Sequence, residues 1–253
     1  PLKRIVNVVR ARFRSSLSKS LALASNAFGK VAAESERIAP LLKGMNSQYT
    51  GRDFGGGETS ALDGDEVTSA NVEGYVRNMP LCASQMHAGM KRDHKLRYGA
   101  RLQYQLFLKG TGMSMDENVA FFQREFTKIM TSEKFVKEYT YSIRHIYGRE
   151  GKRTSKTPYS CAKIVLGAPP QAGEHHGCPF RHYDQDHLSA LLNRMSVGTP
   201  ADRDAMLRHA REKNPQLACV RHFEAVHPKA ATVKDIQLDG VGSHPNAWFA
   251  ASV

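Results

Sequence analysis

Four cysteines lie at positions 82, 161, 178 and 219 of a 253-residue chain, in the strings "NMPLCASQ", "PYSCAKI", "HGCPFRH" and "QLACVRH". No two of them form a C-x-x-C pair, so the fold must either leave the thiols scattered or gather them from four distant segments. A chain of this length buries a sizeable core without covalent staples, and disulfide-dense domains are usually much shorter, so a disulfide framework is disfavoured. Cys178 has His175, His176 and His182 close by in sequence, and an imidazole beside a thiol lowers its pKa and makes a nucleophile. That reading leaves the other three cysteines without a role and comes with no oxyanion-hole signature.

Gathering all four thiolates on one metal centre accounts for the count economically. Zinc accepts four cysteines, although structural zinc usually draws them from tight pairs. An iron-sulfur cube takes one thiolate per iron and is wide enough for ligands from four separate elements, and Cys178-Pro179 matches the Cys-Pro that ends ferredoxin ligand runs. The spacing leaves both standing, with the cube slightly ahead.

The surrounding pattern is helical. Ile5, Val8, Val9, Phe13, Leu17, Leu21 and Leu23 recur at roughly helical intervals, and "SERIAPLLKGM" follows as a shorter segment within residues 1–50. The chain begins at Pro1 and runs straight into this pattern, which reads as a piece of a longer polypeptide. Residues 51–75 are rich in glycine, small polar residues and acids without periodicity, the composition of a flexible linker. Asp63 and Asp65 within it form an Asp-x-Asp pair of the kind that holds magnesium in two-metal nucleotidyl transfer. No apolar alternation makes a rigid strand around them, and they read as linker acids. Residues 76–253 are expected to form a mainly α domain with long loops and little β structure.

Ser114 and Glu117 have capping-box spacing ahead of a helix that places Val119, Phe122, Phe126 and Ile129 on one face. A further helix with Phe135 and Tyr139 is expected to run to Gly148. "CAKIVL" reads as a short helix, Asp184 and Asp186 as N-cap residues ahead of Leu188, Leu191 and Leu192, and "PQLACVRHFEAVH" as a late helix with Pro215 near its start. No apolar run approaches the roughly 18 residues a membrane helix needs.

Thirty-six Lys and Arg against 24 Asp and Glu give a formal charge of +12, which favours polyanionic partners such as nucleic acid. The charge is segregated. Six acids and no Lys or Arg lie between Asp53 and Glu73, whereas residues 91–109 and 144–163 each carry six Lys or Arg and one acid.

The strings "LCASQMHAGMKRDHKLRYGARLQYQLFLKGTGMSMDENVAFFQREF", "EYTYSIRHIYGREGKRTSKTPYSCAKIVL", "HGCPFRHYDQDHL", "ACVRHFEAVH" and "HPNAWF", in this order, resemble the C-terminal iron-sulfur domain of the eukaryotic DNA primase large subunit. The segment before the linker resembles the end of that family's helical N-terminal domain. The resemblance implies that Cys82, Cys161, Cys178 and Cys219 hold a [4Fe-4S] cluster, structural or redox-active. It implies that the domain grips template DNA and the 5′-triphosphate end of an RNA primer, supporting initiation, length counting and hand-off of the primer. Nucleotidyl transfer itself belongs to a separate small catalytic subunit, so no catalytic residue is expected here. The implied partners are that small subunit, the DNA polymerase alpha complex, template and primer, with no membrane; the implied location is the nucleus, or an organelle for a specialised copy.

Within the resemblance, Arg97, Arg101 and Lys109 match phosphate and template contacts, suited by the forked donors of arginine and the mobile charge of lysine. Lys95 and Tyr98 stand where many members have histidine. Tyr139 and Tyr141 match tyrosines tied to nucleic-acid contact or charge transfer. Arg144, His145, Lys152 and Arg153 form a second candidate phosphate-binding edge. The rival of another class is a four-cysteine zinc module acting as an adaptor in a replication complex.

Overall fold

The computed structural model describes residues 2–28, 66–232 and 240–253. The chain divides into two compact units, residues 1–48 and 49–253. Helix is the dominant regular structure, and no strand occurs among the described residues. In the first unit, α1 (Leu2–Phe28) is a single long helix whose Ile5, Val8, Val9, Phe13, Leu17, Leu21 and Leu23 are exposed. The expected segment "SERIAPLLKGM" and the pair Asp63 and Asp65 lie outside the described residues. No described helix is long and apolar enough to cross a membrane.

The second unit begins earlier than composition suggests. Composition places residues 66–75 in the linker, yet Val67 and Val72 are buried and a 3₁₀ helix runs over Val72–Asn78. The reason is tethering. Ser69 N donates to the Glu117 carboxylate at 2.6 Å, and Thr68 N donates to Asn71 Oδ1 at 2.7 Å. The helices α2 (Leu81–Asp93), α3 (Tyr98–Gly110) and α4 (Met115–Phe126) follow. Their buried Met86, Met90, Tyr104, Phe107, Phe121, Phe122 and Phe126 form the main core. Phe121 and Phe122 meet edge-on at 5.5 Å, and Phe122 and Phe126 at 5.8 Å. Burying each large apolar side chain contributes about 1.5–3 kcal/mol.

Ser114 caps α4, accepting from Glu117 N at 3.3 Å. The reciprocal half of the expected capping box is absent because the Glu117 carboxylate is engaged by Ser69. The helix ends at Phe126, so Ile129 leaves the apolar face and is 52% exposed. The helix expected through Phe135 and Tyr139 is interrupted: α5 (Ser132–Phe135) passes into a π-helical turn, Val136–Thr140, and then α6 (Tyr141–Ile146). The wider turn rotates the face, leaving Tyr139 packed on Phe126 at 5.0 Å while Tyr141 two residues on is exposed.

The short helix α7 (Cys161–Val165) follows, and a second core lies under α8 (Pro179–His182), α9 (Gln185–Arg194), α10 (Pro200–Arg211) and α11 (Pro215–Val226), built on Leu81, Phe180, Leu188, Leu191, Leu192 and Met206. Asp184 caps α9 by accepting from His187 N at 2.7 Å, and Asp186 sits in its first turn. Pro215 occupies the first turn of α11 as its spacing predicts. The last helix, α12 (Pro245–Ser252), packs Trp248 on Phe223 and Val241.

A buried carboxylate network ties the early elements together. Glu125 on α4 accepts from Lys91 on α2 and from Lys128, each at 2.8 Å, and faces His94 at 3.2 Å. Lys91 also reaches Glu73, which contacts His87, and His87 in turn meets the Tyr104 hydroxyl at 2.7 Å.

Candidate metal centre and nucleic-acid interface

The four cysteines are delivered by four helices. Cys82 is the second residue of α2, Cys161 opens α7, Cys178 caps α8 ahead of Pro179, and Cys219 lies within α11. All four are free thiols and line one pocket, whose other walls include Pro80, Phe180, Val241 and Trp248. The cavity volume is about 20 Å³. Each cysteine is only half-buried by surface area, although protein surrounds its thiol.

Burial pushes all four thiols up, Cys178 to about 11 and the other three further. Neighbouring cysteines add to the rise at Cys82, Cys161 and Cys219, whereas the Phe180 and Arg181 amides and the Arg181 charge moderate it at Cys178. A centre of positive charge among them would reverse that penalty and let the thiolates form. Among the described residues, no three His, Cys, Asp or Glu side chains close around a point as ligands of a single ion.

The histidines around Cys178 are occupied elsewhere. His182 Nδ1 accepts from the Cys178 backbone N–H at 3.0 Å, His175 pairs with Asp93 at 3.1 Å, and His176 Nε2 meets the Ala168 carbonyl at 3.2 Å. No imidazole is hydrogen-bonded to the Cys178 thiol, so the nucleophile arrangement is not formed. Instead, the histidines brace the loop. A side chain at Gly89 would meet the His175 ring at 2.6 Å, which is why glycine stands on that face of α2.

The loop is also clamped to α3. Gly177 N donates to Gln103 Oε1 at 2.8 Å, and Gln103 Nε2 donates back to the Gly177 carbonyl at 3.3 Å. Cys161 N donates to the Ser243 carbonyl at 2.9 Å, tying that cysteine to the segment ahead of α12.

Four of the sequence-predicted contact residues meet in one groove. Tyr98 and Arg101 from α3 and Tyr141 and His145 from α6 line a hollow of about 220 Å³, with Lys156 closing one side. Tyr98 is 66% exposed and Tyr141 58% exposed. The Arg101 guanidinium stands 5.7 Å from the centre of the Tyr98 ring and 4.8 Å from that of Tyr139. Burial lowers the Arg101 pKa, and the phenols of Tyr139 and Tyr98 act the other way. Tyr141 stacks on His145 with ring centres 6.1 Å apart. Such a hollow offers flat rings for bases and cations for phosphates.

The remaining candidates divide. Tyr139, only 7% exposed, is core and lies beneath Arg101 rather than in the groove wall. Lys109 donates to Ser155 Oγ and, at 2.6 Å, to the Lys156 carbonyl, fastening the basic loop to α3. Arg144 is paired with Glu150 at 2.6 Å. Lys95, Arg97, Lys152 and Arg153 are exposed but do not line the groove.

Sequence reasoning missed Lys156, although it falls inside the second basic stretch. It also missed Tyr159, whose phenol is pushed up by burial and the nearby Tyr98, and over whose ring Lys163 Nζ stands at 4.1 Å. It missed His222 and Trp248 beside the cysteines too, and no local pattern marks either.

Residues 73–249 match the family described as the C-terminal domain of the large subunit of eukaryotic and archaeal DNA primase. The probable DNA primase large subunit of Arabidopsis thaliana is 40% identical over 254 residues, covering 98% of this chain and 52% of that protein. The DNA primase large subunit of Homo sapiens is 37% identical over 257 residues, covering 100% of this chain and 48% of that protein. That of Saccharomyces cerevisiae is 35% identical over 254 residues, covering 98% of this chain and 48% of that protein. The chain spans about half the length of these curated relatives.

Proposed function

The chain belongs to the eukaryotic and archaeal DNA primase large-subunit family, and from that footing we propose that it is the part of such a subunit that grips template DNA and the 5′-triphosphate end of an RNA primer. The observation that carries this reading is the groove in which Tyr98, Arg101, Tyr141, His145 and Lys156 meet. Tyrosine rings stack bases of any identity, and Arg101, Lys156 and the exposed Arg97 and Lys95 beyond the groove supply charge for phosphates. The chain's task is to hold and orient. Nucleotide addition falls to a small catalytic subunit, with which a large subunit assembles, and the primer then passes to a polymerase alpha complex in the nucleus.

We propose further that Cys82, Cys161, Cys178 and Cys219 hold a [4Fe-4S] cluster. A bound cluster supplies the positive iron charge that thiolates need and cross-links the four helices that carry them. What supports a common centre is that all four cysteines line one pocket. Gln103 then couples that centre to α3, the helix that presents Tyr98 and Arg101.

Binding of a triphosphate-ended RNA primer annealed to template, measured against salt, tests the first proposal. Affinity should fall with a log–log slope of roughly −0.7 to −0.9 per neutralised phosphate, and Arg101→Ala should reduce that slope by about one. Salt-independent binding, or an unchanged slope in the variant, would remove the groove from the reading. Anaerobic purification with metal analysis tests the second: about four irons per chain and broad visible absorbance are expected. A folded, colourless preparation carrying zinc would instead support the adaptor reading.

A further inference from the structure

Four buried ring nitrogens on Trp248 and the two histidines packed against it have no hydrogen-bond partner among the described residues: Trp248 Nε1, both nitrogens of His222 and Nε2 of His227. Such atoms are costly, because a buried donor without an acceptor loses its hydration for nothing. Trp248 is the most informative of the three residues. It is 0% exposed, lines the pocket together with the four cysteines, and belongs to the core cluster against which Cys219 packs. Its indole carries a donor and no acceptor, so no tautomer choice can relieve it. Its ring is held on three sides, by Phe223 edge-on at 5.0 Å, His227 edge-on at 5.1 Å and His222 stacked at 5.7 Å.

An orphaned N–H on a residue that lines a sulfur-bearing pocket can be satisfied by a soft acceptor there. We propose that Trp248 Nε1–H donates a hydrogen bond to a sulfur of the bound centre, either the Cys219 thiolate or an inorganic sulfide, and that His222 is the positioning residue that fixes the indole plane. This inference rests on the cluster reading above. A hydrogen bond to sulfur draws electron density from it and favours the reduced state, so Trp248 tunes the potential rather than holding the metal. The competing use of the same hydrogen is a contact with the His227 ring, which faces the indole at an interplanar angle of 78°.

Trp248 is the only tryptophan in the chain, which makes the experiment specific. The chain is labelled with ¹⁵N-indole tryptophan, loaded anaerobically with iron and sulfide, and poised in a paramagnetic state of its centre for pulsed EPR. A ¹⁵N coupling to the centre is expected. In Trp248→Phe, which keeps an aromatic ring and loses the N–H, the centre should be about tenfold less reduced at a fixed ambient potential, equivalent to about 59 mV for one electron. An iron-loaded chain with no ¹⁵N coupling overturns the proposal and assigns the hydrogen to His227. So does a folded Trp248→Phe variant that retains four irons at an unchanged potential. A chain that binds no iron at all sinks the cluster reading first and this inference with it. The labelled wild-type measurement decides the matter even where the variant does not fold.

Discussion

A methyl group added at Gly177 has nowhere to go. Its φ is +87°, a conformation that side chains with a Cβ rarely adopt, and the added carbon would stand 2.6 Å from His182 Nδ1. That ring accepts the backbone N–H of Cys178, so the strain would pass directly to a candidate ligand. Gly177→Ala is therefore expected to cost more than about 1 kcal/mol and to lower the thermal midpoint and iron content together, read by calorimetry and metal analysis. Cys178→Ser should go further and lose folded protein and brown colour in one step; a soluble, folded and fully iron-loaded Cys178→Ser protein would contradict the ligand assignment. At this scale the sequence was a good guide to residue type and a poor one to residue role. The string around Cys178 reads as a crowd of possible bases, but each histidine is committed to the Asp93 carboxylate, the Ala168 carbonyl or a backbone amide. Those partners are as many as 82 residues away in sequence, and no local pattern points to them.

The element that matters most is α3. One part of it offers Tyr98 and Arg101 to the groove, and Gln103 in its middle clamps the Cys178 loop through both the N–H and the carbonyl of Gly177. Gln103→Leu would leave two buried backbone groups unpaired, a loss of about 2–4 kcal/mol. We expect weaker iron retention and weaker primer binding from a residue that touches neither ligand, checked by metal content after dialysis and by titration with primed template. Unchanged binding in an iron-depleted Gln103→Leu protein would show that the groove stands independently of the centre. The existence of α4, α9 and α11 was legible because apolar spacing and capping residues are local signals. The π-helical turn at Val136–Thr140 was not, since the pattern there reads as continuous helix. That turn sends Tyr139 into the core and leaves Tyr141 for the groove, so two tyrosines that look alike in sequence have different fates.

Across the molecule, Glu125 connects α2 and α4 by accepting from Lys91 and Lys128. Burial by itself would raise its pKa; the hydrogen bonds from Lys128 and Lys91, with the Lys91 charge, override that and hold it at about 2. A carboxylate whose folded pKa lies below the ordinary 4.5 contributes stability that is complete above 4.5 and is lost as pH falls toward about 2. Glu125→Gln is accordingly expected to cost about 3 kcal/mol near neutral pH, with the gap to the wild type closing as acid is added. Denaturant melts at a series of pH values check this. A gap that stays constant from neutral pH down to about 2 would mean that the network contributes through packing instead of charge.

Helical class and segregated positive charge were settled by the sequence alone, because each depends on residue type and short-range spacing. Only the tertiary structure decided which candidates lie together. It drew Tyr98, Arg101, Tyr141 and His145 into one groove, turned Lys109 into a fastening for the basic loop, paired Arg144 with Glu150, and buried Val67 and Val72 in the core. The physical reason is that a side chain's role is set by the partner its charge or N–H finds, and in this chain those partners come from helices and loops far apart in sequence. Periodicity reports which face of a helix is buried; it carries no record of what lies opposite.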